Sequence, residues 1–248
     1  MHKFTFKEHF IELKKRFLKL FIIFWIIFGL CYYLSDHIYK IILTPLTETD
    51  SNVNRKIIYT GLTEAFFSYI KLSFFAAVII IFPIICYQIY AFIAPGLYKK
   101  EKKLVLFILL LSPILFYSGC FFMYFIIMPN AWQFFSSYET VKLGIPLVLE
   151  ARISEYLDLV IQLTLAFGMS FQLPIIVILL SLFGFVKAEN LRSKRRIAVV
   201  VIFIAAAVFT PPDVFSQIAL AIPLLLLYEI SILSCELLEK RGLNHAGH

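Results

Sequence analysis

Charge is scarce in this sequence. Only 16% of its 248 residues are Asp, Glu, Lys or Arg, where a soluble domain carries about 25%. The apolar share is 61% and the mean hydropathy is +0.88, more apolar surface than a soluble chain of this length can bury. The excess therefore faces lipid. Other shortages bear on chemistry. The four cysteines, Cys31, Cys86, Cys120 and Cys235, form no CxxC or Cys/His spacing, and the five histidines lie in tails or beside a span end. No HExxH, GxSxG, phosphate-cradling glycine loop or EF-hand pattern occurs. Neither enzyme activity nor a cofactor or metal is expected.

What the sequence does have is long apolar runs. Backbone groups in hydrocarbon must bond internally, which leaves helices or closed barrels. Barrel strands alternate apolar and polar residues, and these runs do not. Six transmembrane helices are predicted, over residues 17–34, 70–92, 104–128, 157–183, 197–209 and 214–233. They make residues 1–235 one membrane domain, followed by a disordered tail over 236–248. The first run lacks a small-residue cleavage site and is read as a retained span.

Basic residues set the orientation. Of the 23 Lys and Arg, 17 fall in residues 1–19, the 99–103 and 187–196 loops and the tail. Both termini are thus expected in the cytoplasm. This topology explains the net charge of +7 without invoking nucleic acid.

The two long outer connections are not polar linkers. Asp36–Leu46 and Ala131–Tyr138 mix aromatic and polar residues, predicting short interfacial helices that cap the spans. Turns are expected at Thr44-Pro45-Leu46 and Gly144-Ile145-Pro146. Pro83, Pro113, Pro174 and Pro223 fall inside spans, and four kinks favour a concave bundle. Span five offers only 13 apolar residues, roughly 20 Å at about 1.5 Å per residue, against a hydrocarbon core of about 30 Å. Glu229 likewise shortens the apolar stretch of span six. Such a pair thins the bilayer locally or is sheltered by protein.

Two acids stand out on the inner side. Glu12 lies in the basic lead-in to span one, and Glu101 sits among Lys99, Lys100, Lys102 and Lys103. Each could simply pair with neighbours, Glu12 with Arg16 at i, i+4, or could receive a basic ligand. Within the spans, Gln172 needs a protein or wet surrounding, for function or only to hold helices together.

Several stretches resemble the TatC family, receptor subunits of the twin-arginine protein translocase. They are His9-Phe-Ile-Glu-Leu-Lys-Lys-Arg16, the loop from Tyr87 to Glu101, Phe167-Gly-Met-Ser-Phe-Gln-Leu-Pro174 and Thr210-Pro-Pro-Asp-Val-Phe-Ser-Gln217. The resemblance implies that Glu12 and Glu101 contact the paired arginines of a signal peptide, with Phe92, Pro95, Leu97 and Tyr98 shaping the adjoining surface. A guanidinium fork suits carboxylates, which agrees. It also implies small single-span TatA/TatB-type partners docking near Gln172, Thr210, Asp213 and Gln217, an outer cap at Pro45, and further copies of the chain. The location implied is a bacterial inner membrane, with export of folded proteins drawing on the proton gradient. Two positions depart from the family pattern. Lys14 stands where arginine is frequent, and Gln172, where many relatives have glutamate, cannot titrate. The rival reading is a small-solute or ion carrier, which should show charges or broken helices at mid-membrane. The spans here are nearly charge-free.

Overall fold

The structure, a computed structural model, describes residues 6–48, 58–96, 99–138, 152–210 and 213–240. These are helical almost throughout, with one isolated bridge between Ile58 and Arg152. The chain divides into two compact units, residues 1–41 with 66–113, and residues 42–65 with 114–248.

In the first unit α1 (Phe6–Tyr33) is a 28-residue helix. Phe10, Phe17, Phe21, Trp25 and Ile26 are all exposed, as expected of side chains solvated by lipid. Helix α2 (Ser35–Glu48) follows at once, and α3 (Glu64–Ile93) runs 30 residues through Pro83 without a break. Phe24 of α1 meets Phe74 of α3 edge-on with ring centres 5.1 Å apart, and Tyr39 stacks on Tyr69 at 5.7 Å. Helix α3 ends in a tight turn, Ala94–Gly96, built around Pro95, and α4 (Lys99–Phe122) leads back.

In the second unit α4 passes into a wide π turn, Met123–Ile127, and then α5 (Met128–Ser136), with Pro129 in its first turn. Helices α6 (Ile153–Ser170), α7 (Leu173–Leu182), α8 (Ala188–Ser193), α9 (Arg195–Phe209) and α10 (Val214–Lys240) complete the fold. A core of Met123, Leu163, Phe167, Ala206, Leu220 and Leu224 knits them together. Glycines set the closest approach. A Cβ added at Gly119 would lie 2.7 Å from the Phe167 carbonyl oxygen, and one at Gly168 would lie 2.6 Å from the buried Phe116 ring. Without side chains there, α4 and α6 draw close enough for Cys120 Sγ to reach the Thr164 carbonyl at 3.9 Å.

The connection that leads into α3 is tied to the start of α6 by Glu64. Its carboxylate accepts from the Thr60 and Gly61 amides at 2.8 and 3.1 Å and from the Ser154 hydroxyl at 2.7 Å. The Ile153 amide donates to Ile58 O at 3.0 Å, and Tyr156 Oη donates to Ile42 O at 2.7 Å. Strand-like pairing and side-chain bonds thus anchor the start of α6. At the other end α7 closes on Gly184, the one described glycine with positive φ, at 77°. Phe185 N–H reaches Leu180 O and Gly184 N–H reaches Ser181 O, a paired arrangement that satisfies the last carbonyls.

Several expectations need correction. The turn expected at Pro45 is helix: losing one N–H near the end of α2 does not stop it, and Pro45 is buried. The span over 157–183 lies in one long helical segment, Ile153–Leu182, whose hydrogen-bond ladder is interrupted at Phe171–Gln172 because Pro174 has no N–H to donate. The helix that holds the predicted sixth span runs 27 residues, and Glu229 within it pairs with Arg195. That helix also takes residues 236–240 out of the expected disordered tail. The turn expected at 144–146 lies outside the described residues. By length and composition five described helical segments could cross a membrane: Phe10–Tyr33, Glu64–Gly96, Lys102–Ser136, Ile153–Leu182 and Val214–Lys240. Helix α9, holding the predicted fifth span, has 15 residues, or about 22 Å at about 1.5 Å per residue.

The glycine contact yields a test. Gly119→Ala forces a methyl group against backbone that cannot swing aside, a change expected to cost about 1–3 kcal/mol. Thermal melting of the detergent-solubilised protein should show a lowered midpoint. Gly29→Ala, within α1 and with nothing within 4 Å of the added Cβ, should not lower it, since alanine is the better helix former.

Candidate functional site

The site around Glu12 is built within the first unit. Glu12 and Arg16 are one turn apart on α1, so their side chains share a face. Arg16 Nε and Nη2 both donate to Glu12 Oε1, at 3.0 and 2.5 Å. Nη1 donates to the Gln88 side-chain oxygen at 2.9 Å, and Nη2 also reaches the Ala91 carbonyl at 3.1 Å. One guanidinium therefore joins α1 to the inner end of α3. The Ala91 carbonyl is open to it for a plain reason: the residue four positions on is Pro95, which has no N–H to give. Positive charge at a helix C-terminus is also favoured by the helix dipole.

Glu12 and Arg16 are only 27% and 25% exposed, whereas Gln88 is buried. Among the described residues, Glu12 Oε2 accepts no hydrogen bond. The anticipated pairing of Glu12 with Arg16 is thus present, and it occupies one oxygen rather than the whole carboxylate. Phe92 is half-buried in the last turn of α3, and Pro95 is exposed in the turn that follows. Glu101 lies in the first turn of α4, in the same unit as Glu12. Leu97 and Tyr98, and the side chain of Glu101, lie outside the described residues. Sequence reading singled out neither Arg16 as a link nor Gln88. The available signal was an amide and a proline-stranded carbonyl, three residues apart, at the end of an apolar span.

The second set of residues lies in the second unit. Gln172 is buried and forms the N-cap of α7, its carbonyl accepting from Ile176 N–H at 3.0 Å. Thr210 is buried too, and its hydroxyl donates to Ala206 O one turn back at 2.8 Å. Gln217 Nε2 donates to Phe203 O at 3.2 Å and so bridges α10 to α9. Asp213 caps α10 by accepting the Ser216 amide at 2.7 Å. Its second oxygen, and the Ser216 hydroxyl, are buried with no hydrogen-bond partner among the described residues. Unpaired polar atoms of this kind cost free energy until something satisfies them. Pro45, the expected outer cap, is held in α2 as described above.

Acids on α10 hold the basic segment from Ala188 to Arg195. Glu229 pairs with Arg195 at 2.6 Å, Glu236 pairs with Arg192, and Glu239 accepts the Ala188 amide at 2.9 Å. Tyr228 Oη donates to Leu191 O at 2.8 Å. Part of the charge that signals orientation is therefore neutralised by structure. Among the described residues no group of three His, Cys, Asp or Glu side chains is placed to hold a metal ion.

The Asp213 cap can be separated from its charge. Asp213→Ala should destabilise the protein by about 0.5–2 kcal/mol, and Asp213→Asn, which keeps the accepting oxygen, by much less. Thermal melting of the two variants side by side reads the difference.

Comparison with known proteins follows the same line. The family described as Sec-independent protein translocase protein (TatC) matches residues 8–223. A Sec-independent protein translocase protein TatC from Rickettsia prowazekii is 56% identical over 239 residues, covering 96% of this chain and 95% of the relative. Its counterpart from Escherichia coli K12 is 39% identical, covering 95% of this chain and 90% of that one. A crystal structure of the twin-arginine translocase receptor TatC superposes with a TM-score of 0.79 at 36% identity, over 93% of this chain and 99% of that one. The stranded carbonyl, the partly exposed carboxylate and the capped outer turn thus sit in a polytopic membrane fold that this chain shares with those proteins, and the chain belongs to the TatC family.

Proposed function

We propose that this chain is the receptor and core subunit of a twin-arginine protein translocase, and that Glu12 and Glu101 receive the paired arginines of a signal peptide. The observation that carries the reading is the state of Glu12. Its carboxylate is held in place, partly exposed, with Oε2 accepting nothing among the described residues. A charge-assisted bond from a planar guanidinium suits such an acceptor. Glu101 brings a second carboxylate to the neighbouring helix of the same unit. Phe92, Pro95, Leu97 and Tyr98 line the approach in this reading.

The site then faces the cytoplasm, with both termini on that side of a bacterial inner membrane, as the clustering of Lys and Arg supports. Small single-span TatA/TatB-type subunits dock along α9 and α10. The unsatisfied Asp213 oxygen and Ser216 hydroxyl at the Thr210–Gln217 corner support a polar contact there. Gln172 takes part as a hydrogen-bonding group and not as a proton carrier, because an amide does not titrate. The assembly holds further copies of this chain, and the proton gradient drives folded cargo across.

Glu12→Ala and Glu101→Ala should each abolish export of a twin-arginine reporter while the protein still inserts in the membrane. A photo-crosslinker placed between residues 92 and 101 should capture the signal peptide. Normal export by the double variant, with no crosslink formed, would overturn the assignment.

A further inference from the structure

We propose that Arg16 is a positioning residue of this site: it holds Oε1 of Glu12 so that Oε2 is presented in a fixed plane to an incoming guanidinium. The inference rests on the reading of Glu12 as a signal-peptide contact. It goes further in saying what orients that carboxylate and what gives the site its preference for arginine.

The geometry comes first. A guanidinium has five N–H donors in a rigid plane. Arg16 directs them to three different acceptors, Glu12 Oε1, Gln88 Oε1 and Ala91 O, at distances from 2.5 to 3.1 Å. Two of the three acceptors belong to α3, so Arg16 is anchored by an element other than its own. Gln88 is buried, which restricts its rotamers, and the Ala91 carbonyl is fixed backbone. The anchor exists because Pro95 denies that carbonyl its helical partner. A glutamate on a free α1 surface would instead sample several rotamers and lose entropy on binding.

Next comes the chemistry. With Oε1 already accepting two N–H bonds, an incoming ligand meets one oxygen in a set orientation. A planar guanidinium exploits a set orientation; an ammonium, a strongly hydrated point charge, gains little from it. Removing the clamp frees the carboxylate to turn toward either ligand. Arg16 itself cannot be exchanged for lysine on the same grounds. Three donors on a single nitrogen cannot span acceptors that belong to two helices in the way the fork does.

The test uses the full chain in nanodiscs and one fluorescent signal peptide in two forms, with paired arginines and with paired lysines. The wild type should prefer the arginine form. Arg16→Lys and Gln88→Met should each weaken binding of the arginine form, by about fivefold for coupling of this kind, and bring the ratio of the two affinities toward one. If both peptides weaken by the same factor, or neither changes, Arg16 has no positioning role. Should Arg16→Lys fail to fold, Gln88→Met decides the matter, since it keeps the charges and nearly the volume. Glu12→Gln separates the two layers of the argument. Wild-type binding by that variant removes the signal-peptide reading itself. Loss of binding there, together with unchanged affinity and ratio in Gln88→Met, removes only the role of Arg16.

Discussion

A peptide group in hydrocarbon has no water to bond, so each N–H and C=O must find its partner in the protein. That constraint is what makes the chain helical, and it gives every proline in a span a consequence. Pro95 strands the Ala91 carbonyl, and Arg16 takes it up. Pro174 ends the ladder of α6, and the chain restarts at Gln172, whose carbonyl begins α7. Pro83 and Pro223, by contrast, lie within α3 and α10, which continue past them.

The same accounting links the residues singled out in the second unit. Asp213 caps α10, Gln217 holds it to α9, and Thr210 bonds back within α9. Each side chain has a structural task, and among the described residues Asp213 Oδ2 and the Ser216 hydroxyl stay buried without a hydrogen-bond partner. Ion pairs from α10 to Arg192 and Arg195 hold a segment whose charge would otherwise repel itself. Close packing at Gly119 and Gly168 supplies the rigid frame on which these polar contacts depend.

Much of this was legible in the sequence. Apolar length and the absence of alternation dictate helices, because the bilayer thickness and the backbone's need for partners are fixed quantities. Glu12 and Arg16 at i, i+4 are neighbours on any helix, so their pairing is local and readable. The interfacial aromatic segments at 36–46 and 131–138 were recognisable as helices on composition, and α2 and α5 hold most of both. Reading failed where a local signal competed with context. Pro45 reads as a turn, yet one missing N–H near a helix end is tolerated.

The sequence by itself determined that this is a helical membrane protein with acids set among basic residues on one side, since hydropathy and charge act through the solvent and need no knowledge of neighbours. Only the tertiary structure decided that Arg16 reaches 72 residues along the chain to Gln88, and that Gly119 and Gly168 let α4 and α6 touch. Those are distances between segments remote in sequence. They follow from how helices pack, and packing depends on the shapes of both surfaces at once.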